Sequence, residues 1–166
     1  MKNEMEAYLD IETTSLSPAD GIITVIGIYI TDGVIEEVFQ LVGENITKEN
    51  IKKILKDVKT IYTYNGAKFD LPFIAALKEI DLTKDFKHVD LMHHCWSKNL
   101  YGGLKKIEKT LGIPRKLTEV DGKVAIELWF NYKNYNDEFA LATLLEYNKE
   151  DVVNLKKLRQ ILEKKC

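Results

Sequence analysis

Glu6-Ala7-Tyr8-Leu9-Asp10-Ile11-Glu12-Thr13-Thr14 is apolar enough for a central β-strand from Glu6 to Glu12, yet it carries carboxylates at Asp10 and Glu12. Residues two apart in a strand leave the same face, which sets these side chains roughly 7 Å apart at the backbone. Two carboxylates so placed beside Tyr8, Leu9 and Ile11 repel each other, and a divalent cation or a proton resolves the repulsion. In the competing reading, Asp10 merely ends the strand and Glu12 is solvated.

Working outward, Ile22 to Thr31 is a second run rich in β-branched and aromatic residues, and Val34 to Val42 a third. Asp32-Gly33 between them signals a type I′ turn, so strands two and three should pair antiparallel in a three-stranded meander. From Thr47, a reasonable N-cap, Ile51, Ile54, Leu55 and Val58 fall at helical spacing. Thr60 to Tyr64 reads as a fourth strand, Leu71 to Ile80 as a helix opened by Pro72, and Lys87 to Leu91 as a short fifth strand. The remainder reads as helical. Leu104, Ile107, Glu108 and Leu111 outline a helix that stops at Gly112 before Pro114, and a loop follows to Asp121. Val124 to Tyr132 and a long segment from about Asp137 toward Lys164 complete the chain. This order predicts an α/β fold, a mixed five-stranded sheet with strand 2 antiparallel and helices on both faces.

At 166 residues the chain suits one domain over 1–166, and 45% hydrophobic with 30% charged residues is an ordinary globular balance. No apolar run approaches the roughly 20 residues of a membrane helix, and Met1-Lys2-Asn3-Glu4 leads into a strand, so the cytoplasm is the expected location. Cys95 and Cys166 alone support neither a disulfide framework nor a cysteine zinc cluster; both are read as plain thiols. A net charge of -2 gives no global attraction to a polyanion, so any nucleic-acid contact must be local. The lysines at Lys52-Lys53-Lys56, Lys105-Lys106-Lys109 and Lys156-Lys157 fit either solvated faces or phosphate contacts.

Two further stretches carry candidate chemistry. Tyr147 and Asp151 stand four apart on the last helix and share a face, where a phenol and a carboxylate can meet in one site. Asp70 lies in Asn65-Gly66-Ala67-Lys68-Phe69-Asp70-Leu71-Pro72-Phe73, after a strand and at the mouth of a helix, where it serves either the same site or as an N-cap. His93-His94-Cys95 invites a zinc reading, but adjacent residues cannot all face one ion without unusual backbone geometry. Asp90 reads as a strand-end residue that orders a neighbouring loop. No Gly-rich phosphate loop, G-x-S-x-G or H-E-x-x-H occurs, which sets aside nucleotide hydrolase, serine esterase and zinc protease chemistry.

Asp10-Ile11-Glu12-Thr13-Thr14, Asn65 to Phe73, and Tyr147 to Asp151 together resemble, in the same order, the three motifs of the DEDD (DnaQ-like) 3′-to-5′ exonucleases, whose ribonuclease H-like fold has the element order above. Tyr147, four residues before Asp151, fits the tyrosine subgroup; the histidine subgroup would have His where Glu146 stands. Gly103 to Ile113 and Leu144 to Val152 look like the YprB-like branch. Ser15 stands where many relatives have glycine, a departure in the shape of that loop.

This resemblance implies a metal-dependent exonuclease that takes the 3′ end of DNA or RNA and uses two Mg2+ or Mn2+ ions. By resemblance Asp10, Glu12 and Asp151 bind the first ion, Asp10 bridges to the second with Asp70 helping through water, and Tyr147 orients the attacking water. Two bound cations would also reverse the local charge of a mildly acidic protein. Leu16 resembles an apolar wedge against the terminal base, and Thr13, Asn65, Phe69 and Tyr101 are candidate substrate contacts, aromatic stacking being sequence tolerant. A catalytically silent binding module of the same fold and a metal-dependent endonuclease are the alternatives.

Overall fold

A computed structural model of the protein describes residues 3–164. Strand β1 (Met5–Thr13) lies in a five-stranded sheet ordered β3-β2-β1-β4-β5, with β2 (Ile23–Thr31) and β3 (Glu36–Val42) on one side and β4 (Val58–Thr63) and β5 (Lys87–Asp90) on the other. β2 runs antiparallel to both neighbours, while β1, β4 and β5 run parallel. This is the mixed α/β sheet that the order of elements predicts.

The period of two in β1 divides its side chains between two cores. Ala7, Leu9 and Ile11 join Ile26, Ile28, Ile51, Leu55, Phe73 and Ile74, beneath α1 (Lys48–Leu55) and α2 (Asp70–Lys78). Tyr8 turns the other way and packs with Tyr29 and Tyr62 among residues of α4 (Leu91–Trp96), α5 (Leu104–Leu111) and α7 (Glu138–Lys164). A third cluster joins Val25 to Trp129 of α6 (Gly122–Tyr135) and to Leu144 and Tyr147 of α7. The same alternation sends Asp10 and Glu12 to the α7 side of the sheet. A four-residue helix, α3 (Leu82–Asp85), precedes β5. Among the described residues no helix is long and apolar enough to cross a membrane.

Several local expectations need correction. The β2–β3 connection is not a two-residue type I′ turn: Thr31 pairs with Glu36, leaving four residues between. The Asp32 carboxylate accepts from the backbone N–H groups of Val34 at 2.9 Å and Ile35 at 2.8 Å, and this Asp-capped loop needs a positive φ only at Gly33. Val58 does not continue α1 but opens β4. α2 ends at Lys78 rather than Ile80, because Glu79 adopts a left-handed conformation at φ 53° and Ile80 turns into the core. Asp70 is not an N-cap; Phe69 holds that position without a side-chain bond. Asp90 does order its loop, accepting from the N–H groups of Asn65 (2.8 Å), Ala67 (3.1 Å) and Met92 (3.0 Å).

Candidate metal centre

β1 outruns its partner β4. Their pairing ends at Tyr8 opposite Tyr62, so the stretch from Leu9 onward has a β-neighbour only on the β2 side. A backbone donor left without a ladder partner needs another acceptor. Asp70 Oδ2, arriving from the start of α2, accepts from the Ile11 N–H at 3.0 Å. On the opposite side of β1, α7 packs its Tyr147, Asn148 and Asp151 inward, at the spacing of one helix face. Asp10, Glu12 and Asp151 are thereby brought together, each offering an oxygen within 4.8 Å of the others. Asp70 lies close enough to add its charge to Asp10 and Glu12 but is not one of this group of three.

Glu12, Asp70 and Asp151 are buried and Asp10 is half-buried, so like charges crowd together with little water to screen them. Burial, then the charges of Asp151, Glu12 and Asp70, holds the Asp10 carboxyl well above the ordinary carboxylate range. Burial and Asp151 do the same to Glu12. Asp70 is pushed up to about 7 by burial, against the pull of the Ile11 N–H. Asp151 rises to about 6 by burial and is held back by Arg115. Among the described residues Glu12 Oε1 is buried without a hydrogen-bond partner. An orphaned carboxylate oxygen, converging like charges and a donor set of hard oxygens together fit Mg2+ or Mn2+ rather than a thiophilic ion. Burial and the facing carboxylates also hold the Tyr147 phenol well above its usual range, so it stays protonated at neutral pH.

A pH dependence follows from these shifts. A carboxyl whose folded pKa lies above its unfolded value contributes stability that is complete below the unfolded pKa, near 4, and is lost as pH rises through the folded pKa. With Asp151 at about 6 and Asp70 at about 7, metal-free protein should lose stability between roughly pH 4 and pH 7. Mg2+ or Mn2+ should restore it, and by more at the upper end, where no proton has to be displaced. Thermal melts across that range with and without metal check this; a metal-free melting temperature that rises with pH would count against the site.

Residues outside the expected set complete the centre. The Arg115 guanidinium, its side chain 5% exposed, makes a two-pronged bond to Glu108 at 2.8 and 2.7 Å and also bonds Asp151 Oδ1. Glu108 is fixed in turn by Asn154 Nδ2 at 3.1 Å. Glu150 accepts from the N–H groups of Lys116 at 2.8 Å and Leu117 at 3.2 Å, which ties down the loop that carries Arg115. Asn148 donates to Asp10 Oδ2 at 3.2 Å. Lys105 and Arg115 lie over the Tyr147 ring, at 4.8 and 5.6 Å from its centroid. Glu108 had left a signal in the sequence, because it occupies the apolar register of α5 with Leu104, Ile107 and Leu111.

The candidate substrate contacts are dispersed. Leu16 is 88% exposed in the loop after β1, and Thr13 Oγ1 donates to the Ser15 carbonyl at 2.7 Å within that loop. Tyr101 is exposed beside Gly102, whose carbonyl accepts from the Tyr64 hydroxyl at 2.5 Å. Asn65 takes a positive φ of 60° over the Asp90 carboxylate, and Phe69 packs at 5.4 Å on Phe73 of the first core. His93 lies against Trp96, Cys95 is buried in the second core, and His88 bonds Thr63 Oγ1 at 2.8 Å, so they do not converge on an ion. Cys166 lies outside the described residues. Lys156 bonds Glu36 and the Tyr29 hydroxyl.

A family model described as RNase_H superfamily matches residues 7–163. No curated protein sequence matches the chain. Among solved structures, the family B DNA polymerase from the hyperthermophilic archaeon Pyrobaculum calidifontis is similar over 96% of this chain at 19% identity and a TM-score of 0.73; the chain spans only 24% of the polymerase. Brucella melitensis NrnC bound to pGG is similar over 98% of this chain and 73% of its own, at 21% identity and a TM-score of 0.65, and NrnC is also known with bound Mg2+. Product-bound exonuclease I is similar over 81% of this chain and 45% of its own, at 16% identity and a TM-score of 0.51. At these identities the likeness is one of fold.

Proposed function

The chain belongs to the RNase_H superfamily, and from that premise we propose that it is a divalent-metal-dependent 3′-to-5′ exonuclease acting on DNA or RNA, of the tyrosine subgroup of DEDD enzymes and its YprB-like branch. The observation that carries this reading is the convergence of Asp10, Glu12 and Asp151 from β1 and α7 in a largely buried cluster that leaves a Glu12 oxygen without a partner among the described residues. Asp10, Glu12 and Asp151 would hold one cation; Asp10 would reach a second, with Asp70, held by the Ile11 N–H, acting through water. When bound, such cations activate water and neutralise the charge of the phosphodiester under attack.

The chain's own groups define the remaining roles. Arg115 engages Asp151 Oδ1 and so fixes the orientation of that carboxylate beside Asp10 and Glu12. Tyr147 stands one helical turn before Asp151. Held protonated, its phenol orients the attacking water through a hydrogen bond and does not act as the base. The same cluster supports metal-dependent endonuclease chemistry, and product length separates the two.

Single-stranded DNA and RNA labelled at either end, incubated with Mg2+, Mn2+ or chelator, test the proposal against Asp151→Ala as control. The expected result is mononucleotide release from the 3′ end that requires metal and is lost in the variant. Internal cuts would replace the exonuclease reading with an endonuclease, and intact substrate under every metal condition would sink both in favour of a silent binding module.

A further inference from the structure

One cross-strand row of the sheet lacks its middle side chain. Asp10 of β1 pairs with Gly27 of β2, and Gly27 pairs with Gln40 of β3. Asn148 of α7, fully buried, fills the space above Gly27 so closely that a Cβ there would lie 2.2 Å from its Oδ1. It thereby connects Gln40 to Asp10 across a strand that supplies no side chain of its own.

The direction of these hydrogen bonds is set from one end. Gln40 Nε2 lies 2.7 Å from the carbonyl oxygen of Leu145, which can only accept, so the amide nitrogen of Gln40 faces α7. That nitrogen also donates to Asn148 Oδ1 at 3.0 Å. With its oxygen committed to Gln40, Asn148 has to present its nitrogen to Asp10, where it donates to both Oδ2 and the backbone carbonyl at 3.2 Å. We infer that Gln40 and Asn148 form a two-amide relay that orients the Asp10 carboxylate for cation binding, with Gly27 providing the space it occupies. Both are positioning residues acting through Asp10. The inference rests on the proposed metal site and extends it to an edge strand that contributes no ligand.

Gln40→Glu tests the relay, because it keeps the shape of residue 40 while leaving only acceptors toward Leu145 and Asn148. Asn148 would then turn its nitrogen toward residue 40 and its oxygen toward Asp10. Residue 40 is half-buried on an edge strand and touches no carboxylate of the cluster, and circular dichroism confirms folding before use. Mn2+ binding to the whole protein, read from the electron paramagnetic resonance of free Mn2+, should weaken about tenfold in Gln40→Glu but only about two- to threefold in Gln40→Met, which removes the donor without reversing it. Cleavage should fall in kcat, with KM little changed.

Equal Mn2+ affinity in Gln40→Glu and wild type, or equal losses in the Glu and Met variants, would overturn the relay. A wild type that binds Mn2+ but cleaves nothing would remove the nuclease reading and leave the relay to be judged on binding alone. A wild type that binds no Mn2+ overturns both.

Discussion

Asp10→Asn is expected to lower metal-dependent cleavage by roughly three orders of magnitude or more and, in the same protein, to raise the melting temperature of the metal-free state. The two effects share one cause. In the proposed site Asp10 contributes a charge that is useful only when a cation is bound; without one it is a half-buried carboxylate facing Asp151, Glu12 and Asp70. Asparagine keeps an oxygen for the Asn148 amide and removes the charge. Burial and the neighbouring like charges oppose ionisation of Asp10, so removing the charge should stabilise the metal-free fold above neutral pH. In a domain of this size each 1 kcal/mol gained raises the melting temperature by roughly 2–4 °C. The difference should shrink toward about pH 4, where the wild-type carboxyl is itself protonated. Differential scanning calorimetry with chelator, paired with the end-label assay, measures both. A variant that cleaves normally would remove Asp10 from the metal site, and one that melts lower throughout would show that its charge supports the fold.

The second large effect concerns Arg115. Truncating it to Met leaves Glu108, 2% exposed, with Asn154 as its hydrogen-bond partner and a buried negative charge next to Asp151. Breaking a buried pair from one side costs about 3–5 kcal/mol, a large share of the 5–15 kcal/mol that holds a typical domain together. Arg115→Lys should recover only part of this loss, since one ammonium cannot reproduce the two-pronged bond to Glu108 while also reaching Asp151. Adding Glu108→Gln to Arg115→Met removes the orphaned charge and should restore most of the stability, because Asn154 can still donate to the amide oxygen. Urea denaturation of the three variants measures this. A single Arg115→Met variant within about 1 kcal/mol of wild type would mean the network is electrostatically neutral to the fold.

What could be read from the sequence was local and periodic. Alternation in β1 separated Ala7, Leu9 and Ile11 from Tyr8, Asp10 and Glu12, and the four-residue spacing of Tyr147 and Asp151 put both on one helix face. The expected convergence of Asp10, Glu12 and Asp151 is found, whereas Leu16, Phe69 and Tyr101 occupy a loop, a core edge and a second loop. Element ends were less legible: Val58 keeps helical register with Leu55 but belongs to β4, and Asp32-Gly33 imitates a tight turn inside a longer loop. The residues that compensate or orient the cluster were missed because their partners are distant in the chain, Arg115 36 residues from Asp151 and Gln40 108 from Asn148. Asn148 does share the inward face of α7 with Leu144, Tyr147 and Asp151, and a buried asparagine there was the available hint.

The bond between Asp70 and the Ile11 N–H decides what a substitution at position 70 reports. Alanine would delete a carboxylate and also abandon a buried main-chain donor on the edge of β1 that β4 does not cover, so lost activity and a loosened strand would arrive as one phenotype. Asparagine retains an oxygen for that donor and changes only the charge. At Asp70, therefore, the customary alanine scan confounds the proposed part in the cation site with scaffold, and the amide is the substitution whose result can be attributed to chemistry.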